Sequence, residues 1–313
     1  MGIVDLCAHL CRSCYKSALI RKFCSRCYSK ERIVEHTPFA GIEVSMCRLL
    51  GLVSHTAATF SGALGADQLD RFRDMSRLHC DGWGAAWHAE GGLAAYHNTD
   101  AALADPGFPR IAAATVTDAA IAHLRWASEH MATRDANTHP FLADGFAFAH
   151  NGYIGPSAEL DLLVPESAAA GVLGTTDSER YFGLIRGHLH DGLDPFDATL
   201  RAVAELRSRY PRASLNALLL GPDELIAVHA STAARPDIAG MLAAGFTPET
   251  LPAGHLDGYY RMRIRHGADG SVAVASSGLE TTGWEPLPEE SVTRIDRLGA
   301  TVTTRAVVPD FVE

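Results

Sequence analysis

The chain has 313 residues, enough for one large domain or two small ones, with 47% apolar and 20% charged residues and a formal net charge of -10. An acidic chain is a poor candidate for nucleic-acid binding, which rests on neutralising phosphates. No apolar run reaches the length of a membrane span, and the N-terminus lacks an uninterrupted secretory h-region, so a cytoplasmic location is expected.

Residues 1–45 stand apart. They carry seven basic against four acidic residues, and five of the seven cysteines: Cys7, Cys11, Cys14, Cys24 and Cys27. They lack a sustained apolar period and read as a weakly ordered N-terminal extension. Cys11-x2-Cys14-x9-Cys24-x2-Cys27 resembles the ligand pairs of a four-Cys zinc site, but the loop between pairs is short and little apolar sequence supports it. No metal is therefore expected. The remainder holds only Cys47 and Cys80, which rules out a disulfide scaffold.

From Met46 onward the pattern is that of a compact protein of mixed α and β elements, taken as one domain, 46–313. Cys47–Ser54 reads as a short apolar strand. Leu69, Phe72, Met75 and Leu78 give Asp67–Leu78 a helical period. Gly82–Trp87 and Leu93–His97 pair around Glu90-Gly91-Gly92. Ala119–Trp126 and Gly145–His150 are further strands. Asp177–Leu189 and Pro195–Tyr210 are helices opened by capping residues. Leu215–Leu220 and Leu225–Ala230 form a hairpin about Gly221-Pro222-Asp223. Tyr259–Arg265, Val272–Ser276, Ser291–Leu298 and Thr301–Val308 finish the chain as strands. Strands run in clusters, then helices, then strands, which suits antiparallel sheets layered with helices better than a βαβ repeat.

Five short segments carry chemistry. In Met46-Cys47-Arg48-Leu49-Leu50-Gly51, a Cys directly after a Met opens a strand. Removal of Met46 would give Cys47 a free α-amine with a pKa of about 8, able to take the thiol proton. Taken alone, such a Cys is more often an inert core residue. His79-Cys80-Asp81-Gly82-Trp83-Gly84 sets glycines around an aromatic, a turn signal beside a pocket. His123-Leu124-Arg125-Trp126-Ala127-Ser128 ends an apolar strand with an Arg, whose planar fork can hold a carboxylate; Asn137-Thr138-His139-Pro140-Phe141 follows. His150-Asn151-Gly152 is either a hairpin turn or a pair of oxyanion donors. Thr175-Thr176-Asp177-Ser178-Glu179 is a helix cap or a carboxylate facing an ammonium.

In combination, order and spacing these segments resemble the class II glutamine amidotransferases, from about Met46 to the C-terminus. They are most similar to a stand-alone subgroup that opens Met-Cys-Arg-x-Leu-Gly, contains Asp-Gly-Trp-Gly, and includes the γ-glutamyl hydrolase of ergothioneine biosynthesis. Ala275-Ser276-Ser277-Gly278-Leu279-Glu280 and Gly283-Trp284 also look like this subgroup. The resemblance implies an N-terminal-nucleophile fold of α+β class, a four-layer αββα sandwich of two antiparallel sheets. It implies Cys47 as nucleophile, Asn151 and Gly152 as oxyanion donors, Arg125 on the substrate α-carboxylate and Asp177 on its α-ammonium. Trp126, Ser128, Gly82 and Trp83 would shape the pocket, and no cofactor is needed. The implied reaction is hydrolysis of the glutamine side-chain amide through a thioester. Nothing in the chain reads as a synthetase, so an ammonia-accepting synthetase would be a separate partner. The alternatives are hydrolysis of another γ-glutamyl amide and a non-catalytic glutamine-binding module. Many members of the family open Cys-Gly-Ile, where this chain has Cys47-Arg48-Leu49. Cys47 also lies far from residue 1, which leaves three alternatives: a translation start at Met46, a cleaved propeptide, or a retained extension with an inactive domain.

Overall fold

A computed structural model describes residues 47–127 and 131–308. The extension, Met46 and Ser128 lie outside the described residues. The first half runs β1 (Arg48–Thr59), α1 (Phe60–Leu64), α2 (Ala66–Asp74), β2 (Trp83–Ala89), β3 (Gly92–Asn98), α3 (Gly107–Ala114), β4 (Val116–Leu124), β5 (Phe141–Ala143) and β6 (Phe146–Asn151). Short helices α4 (Ser157–Leu160) and α5 (Glu166–Ala169) precede the long pair α6 (Asp177–His190) and α7 (Pro195–Arg209). The chain closes with β7 (Asn216–Leu220), β8 (Glu224–His229), α8 (Ile238–Ala243), β9 (Arg263–His266), β10 (Val272–Ala275), β11 (Glu285–Pro286), β12 (Ser291–Asp296) and β13 (Val302–Ala306).

The strands form two antiparallel sheets. One has the order β11-β9-β10-β1-β4-β2-β3, the other β13-β12-β8-β7-β6-β5. Both recruit strands from after residue 262, so the last quarter of the chain is part of the same sandwich.

Period-two alternation sorts the strand residues between layers. Leu49, Val53, Ala119 and Ile121 of the first sheet meet Ala147, Ala149, Leu218 and Leu225 of the second in a buried inter-sheet core. The alternate residues Leu50, Leu52, Ala122 and Leu124 face outward onto Phe60, Leu69, Phe72 and Phe108 of α1–α3 and their loops. On the far side Phe148, Leu219 and Val228 pack against Tyr181, Phe182, Phe196 and Leu206 of α6 and α7. The result is the four-layer helix–sheet–sheet–helix arrangement expected from the sequence. The ends of α6 and α7 follow local chemistry: Thr176 accepts from Glu179 N–H, and Asp194 accepts from Phe196 and Asp197 N–H just before Pro195.

Some expected elements differ. The helix over Asp67–Leu78 is α2 followed by a 3-10 turn at Met75–Arg77. The strand expected over Tyr259–Arg265 begins only at Arg263. Tyr259 and Tyr260 instead join a satellite cluster with Leu78, Trp126, Met241 and Leu251. Their carbonyls are taken by side chains: Arg48 and Ser277 donate to Tyr259, and Asn216 to Tyr260. With those acceptors satisfied, no neighbouring strand is required. Helix α3, absent from the sequence reading, is short and lacks a side-chain cap. Among the described residues no helix is long and apolar enough to cross a membrane.

Residues 137–140 press onto the inter-sheet edge at Gly84. A Cβ there would lie 2.3 Å from the His139 carbonyl and 2.9 Å from that of Tyr96, so only glycine allows the approach. Gly84→Ala is expected to cost about 2 kcal/mol or more in urea unfolding, because both obstacles are backbone; an unchanged midpoint would refute this packing.

Four buried histidines make stability depend on pH. Burial pulls His123 from the ordinary 6.5 to about 3 and His255 to about 2, and pulls His139 and His150 down as well. Below about pH 6.5 the unfolded chain takes up protons that these rings refuse when folded. Stability is therefore full above that pH and falls as pH drops toward the folded values. Each such ring should cost about 1 kcal/mol near about pH 5.5. The urea midpoint should be clearly lower at about pH 5.5 than at about pH 7.5, and equal midpoints would show that the rings are not held neutral.

Candidate active site

The same alternation that builds the inter-sheet core carries it to one end of the sandwich. Leu49, Ile121, His123, Ala149 and Leu218 face inward, so Cys47 at the entry to β1 and Asn151 at the end of β6 share that inner side at the mouth between the sheets. The Cys47 N–H donates to Asn151 Oδ1 at 3.0 Å. The Cys47 thiol lies 4.0 Å from the Trp126 carbonyl. Cys47 is buried, with 2% of its surface exposed.

Because the Cys47 nitrogen is a donor, it fixes which way the Asn151 amide points. Its oxygen faces Cys47, and its Nδ2 is buried with no hydrogen-bond partner among the described residues. A buried amide NH2 without an acceptor is costly unless something else fills the place. The Asn151 carbonyl is held by Ser214 Oγ at 2.7 Å. A Cβ on Gly152 would lie 2.2 Å from the Ser214 carbonyl, so this close approach admits only glycine. His150 completes the clamp, with Nε2 2.8 Å from the same Ser214 carbonyl and Nδ1 2.9 Å from Ser178 Oγ. The carbonyl can only accept, so Nε2 carries the proton and Nδ1 receives the serine hydroxyl.

Arg125 follows β4, its backbone N–H bonded to the Gly82 carbonyl at 2.9 Å. Its side chain is almost fully buried, and among the described residues it donates to two carbonyls at long range, Asp81 at 3.3 Å and Ala132 at 3.4 Å. Burial pulls its pKa below the ordinary value, while the charges of Cys47 and Asp81 pull it back up. Asp81 is engaged by the Ala127 N–H at 2.8 Å. Asp177 opens α6, and its carboxylate accepts from Ile154 N–H and Ser178 N–H, each at 2.8 Å. This ties the helix start to the chain just past Gly152. An ionised carboxylate has lone pairs beyond these two. Glu179, in the same turn, is spent on the Leu173 and Gly174 N–H groups.

The structure thus gathers Cys47, Asn151, Gly152 and Trp126 at one strand-end mouth, with Arg125 sensing the Cys47 charge and Asp177 linked to the same loop. Trp83 is not among them. It lies on the helix side of its sheet, Nε1 bonded to Asp105 at 2.9 Å and ring packed on Phe108 and Tyr96. Gly82 contributes backbone rather than a wall.

Two features escaped the sequence reading. Asn137 bridges Ala132 and Thr175, tying the segment after Arg125 to the turn before Asp177. Arg48 is wholly buried directly beside the Cys47 carbonyl. The run Asn137-Thr138-His139 flagged the first, since three polar residues before a Pro need partners; nothing local flagged the second.

Comparison with known proteins identifies the family. A family model for class-II glutamine amidotransferases matches residues 46–245. The glutamine–fructose-6-phosphate aminotransferase (isomerizing) of Gluconobacter oxydans is 30% identical over 184 residues, 58% of this chain but only 27% of that enzyme. The γ-glutamyl-hercynylcysteine sulfoxide hydrolase of Mycolicibacterium smegmatis is 30% identical over 167 residues, 53% of this chain and 68% of the relative. A glutamine aminotransferase class-II domain protein from Silicibacter pomeroyi superposes over 84% of this chain and 100% of its own, with TM-score 0.57 and 21% identity. The glutamine phosphoribosylpyrophosphate amidotransferase of B. subtilis does so over 84% of this chain and 50% of its own, with TM-score 0.54 and 17% identity. These last two likenesses concern the fold. With the family model covering well over half of its length, the chain belongs to the class-II glutamine amidotransferases.

Proposed function

We propose that this chain hydrolyses the side-chain amide of glutamine, with Cys47 as an N-terminal nucleophile. The observation that carries the reading is the Asn151 side chain. Its oxygen receives the Cys47 N–H, and among the described residues its buried NH2 has no partner. An oxyanion formed by attack of that sulfur is the acceptor it lacks.

Once Cys47 is the first residue, its α-amine takes the thiol proton and the thiolate attacks the carboxamide carbon. Asn151 Nδ2 and the Gly152 N–H donate to the tetrahedral oxyanion. The C–N bond breaks, and ammonia leaves with the proton held by the α-amine. Water then cleaves the γ-glutamyl thioester to glutamate and regenerates the thiol. Arg125 holds the substrate α-carboxylate, and its loose carbonyl contacts leave most of its donors for a ligand. Asp177 holds the α-ammonium with its remaining lone pairs. Trp126 borders the pocket. Ammonia passes to a separate synthetase, and the enzyme works in the cytoplasm.

One observation favours a second reading, hydrolysis of a different γ-glutamyl amide. The relative matched over most of its own length, 68%, is a stand-alone γ-glutamyl hydrolase, whereas the Gluconobacter aminotransferase is matched over 27%. Both readings share the same nucleophile and the same hold on the glutamyl end.

The test compares glutamate release by the full chain and by a chain starting at Met46, with intact mass recorded for each. Release by protein whose first residue is Cys47, lost in Cys47→Ala and absent from uncleaved chain, is the expected result. No release despite confirmed exposure of Cys47 would remove the glutaminase reading and leave other γ-glutamyl amides. In active enzyme, Asn151→Ala should lower kcat by about two to three orders of magnitude with little change in KM, since the lost bond forms only in the transition state. Asp177→Asn should act mainly on KM. An Asn151→Ala enzyme with undiminished kcat would contradict the oxyanion role.

A further inference from the structure

Arg48 is the residue at this site that hydrolysis as described does not use. It is fully buried, and among the described residues no carboxylate lies within 4.0 Å of it. Its Nε donates to the Cys47 carbonyl. Its Nη1 donates to the Tyr259 carbonyl at 3.2 Å, to the Ser277 carbonyl at 3.1 Å and to Ser277 Oγ at 2.7 Å, while Nη2 has no partner among the described residues. The guanidinium lies 3.7 Å from the centre of the Tyr259 ring. Ser276 Oγ, beside Ser277, receives the Leu49 N–H at 3.0 Å, so the same loop holds both Arg48 and the residue after it.

A buried cation with no counter-anion is expensive, and neutral carbonyls offset only part of the cost. We propose that Arg48 is a positioning residue that locks the Cys47 backbone through its carbonyl and supplies the fixed positive charge that the Cys47 thiolate neutralises. This rests on the reading of Cys47 as nucleophile for its catalytic consequence, but not for its charge pairing.

Among the described residues, the groups that act on Arg48 leave no other candidate for the anion. Burial holds the Tyr259 and Tyr260 phenols well above their usual range, so they stay neutral. His255, pulled down by burial and then by Arg48, and His123, pulled down chiefly by burial, are neutral too. His79 meets His255, Nε2 to Nε2 at 3.3 Å. The second cation, Arg125, faces Asp81 as well as Cys47, and the carboxylate of Asp237 acts on Tyr260. Of the groups that act on Arg48 itself, Tyr259, Cys47 and Tyr260, only the cysteine can become an anion near neutral pH.

The test is the ionisation midpoint of Cys47 in the 313-residue chain, followed by the 13Cβ resonance of labelled cysteine and assigned by its absence from Cys47→Ser. Intact mass records the state of the N-terminus. Arg48→Met should raise the midpoint by about one pH unit or more, the usual effect of removing an adjacent opposite charge, and Arg48→Lys by less. A folded Arg48→Met protein with an unchanged midpoint overturns the proposal, as does an Arg48→Lys shift equal to that of Arg48→Met. Should the Arg48 variants fail to fold, Ser277→Ala loosens the guanidinium while keeping its charge. It should move the midpoint the same way by a smaller amount, and no movement counts against the proposal. The resonance is read without turnover. A chain that releases no glutamate yet shows the Arg48 dependence loses the amidohydrolase reading alone.

Discussion

The hydrogen bond from Cys47 N–H to Asn151 Oδ1 joins the leading end of a strand in one sheet to the trailing end of a strand in the other. Everything that could do chemistry here depends on those two strand ends meeting. They meet because the inner faces of the sheets are lined by small and aliphatic residues, from Val53 and Ala119 to Ala147 and Leu218, which let the layers close. Side-chain alternation then carries the inward direction to the last residue of each strand. The bond also polarises the design. It spends the oxygen of Asn151 on the nucleophile's own nitrogen and leaves the NH2 facing a place where negative charge can form.

Among the described residues the nearby histidines are poor proton acceptors. Burial pulls His123 and His255 far below the ordinary value, His123 Nε2 meets the His150 carbonyl, and His255 meets His79. Two buried guanidinium groups, Arg48 and Arg125, both act on the charge of Cys47. A site rich in fixed positive charge, poor in titrating bases and stocked with an unpartnered amide donor suits reactions that pass through an anion.

Much of this was legible in the residues themselves. Caps at Thr176 and Asp194, the Gly221-Pro222-Asp223 hairpin and the strand clusters all declare themselves locally, because turn and cap chemistry acts over three or four residues. The segments around Cys47, Arg125, Asn151 and Asp177 were recognisable as a set before any of them was placed. What was hidden depends on which face of a strand turns inward. Trp83 and Gly84 are adjacent, yet one enters the helix-side core and the other meets His139 across the mouth. A one-residue choice of face decides pocket from core, and no local signal records it. Tyr259 reads as a strand residue, yet its carbonyl is claimed by Arg48, 211 positions away. Nothing local to Arg48 shows that it is buried; its partners at Tyr259 and Ser277 lie more than 200 positions away.

Covalent capture tests the role of Cys47 most directly. Protein with Cys47 confirmed as its first residue would be treated with a diazoketone analogue of glutamine, then mapped by intact mass and peptide sequencing. The expected result is one adduct per chain, on Cys47, formed more slowly in the presence of glutamine. An adduct elsewhere, on Cys80 for instance, or none at all with Cys47 exposed, would contradict the assignment of the nucleophile and of the mouth between the sheets as the active site.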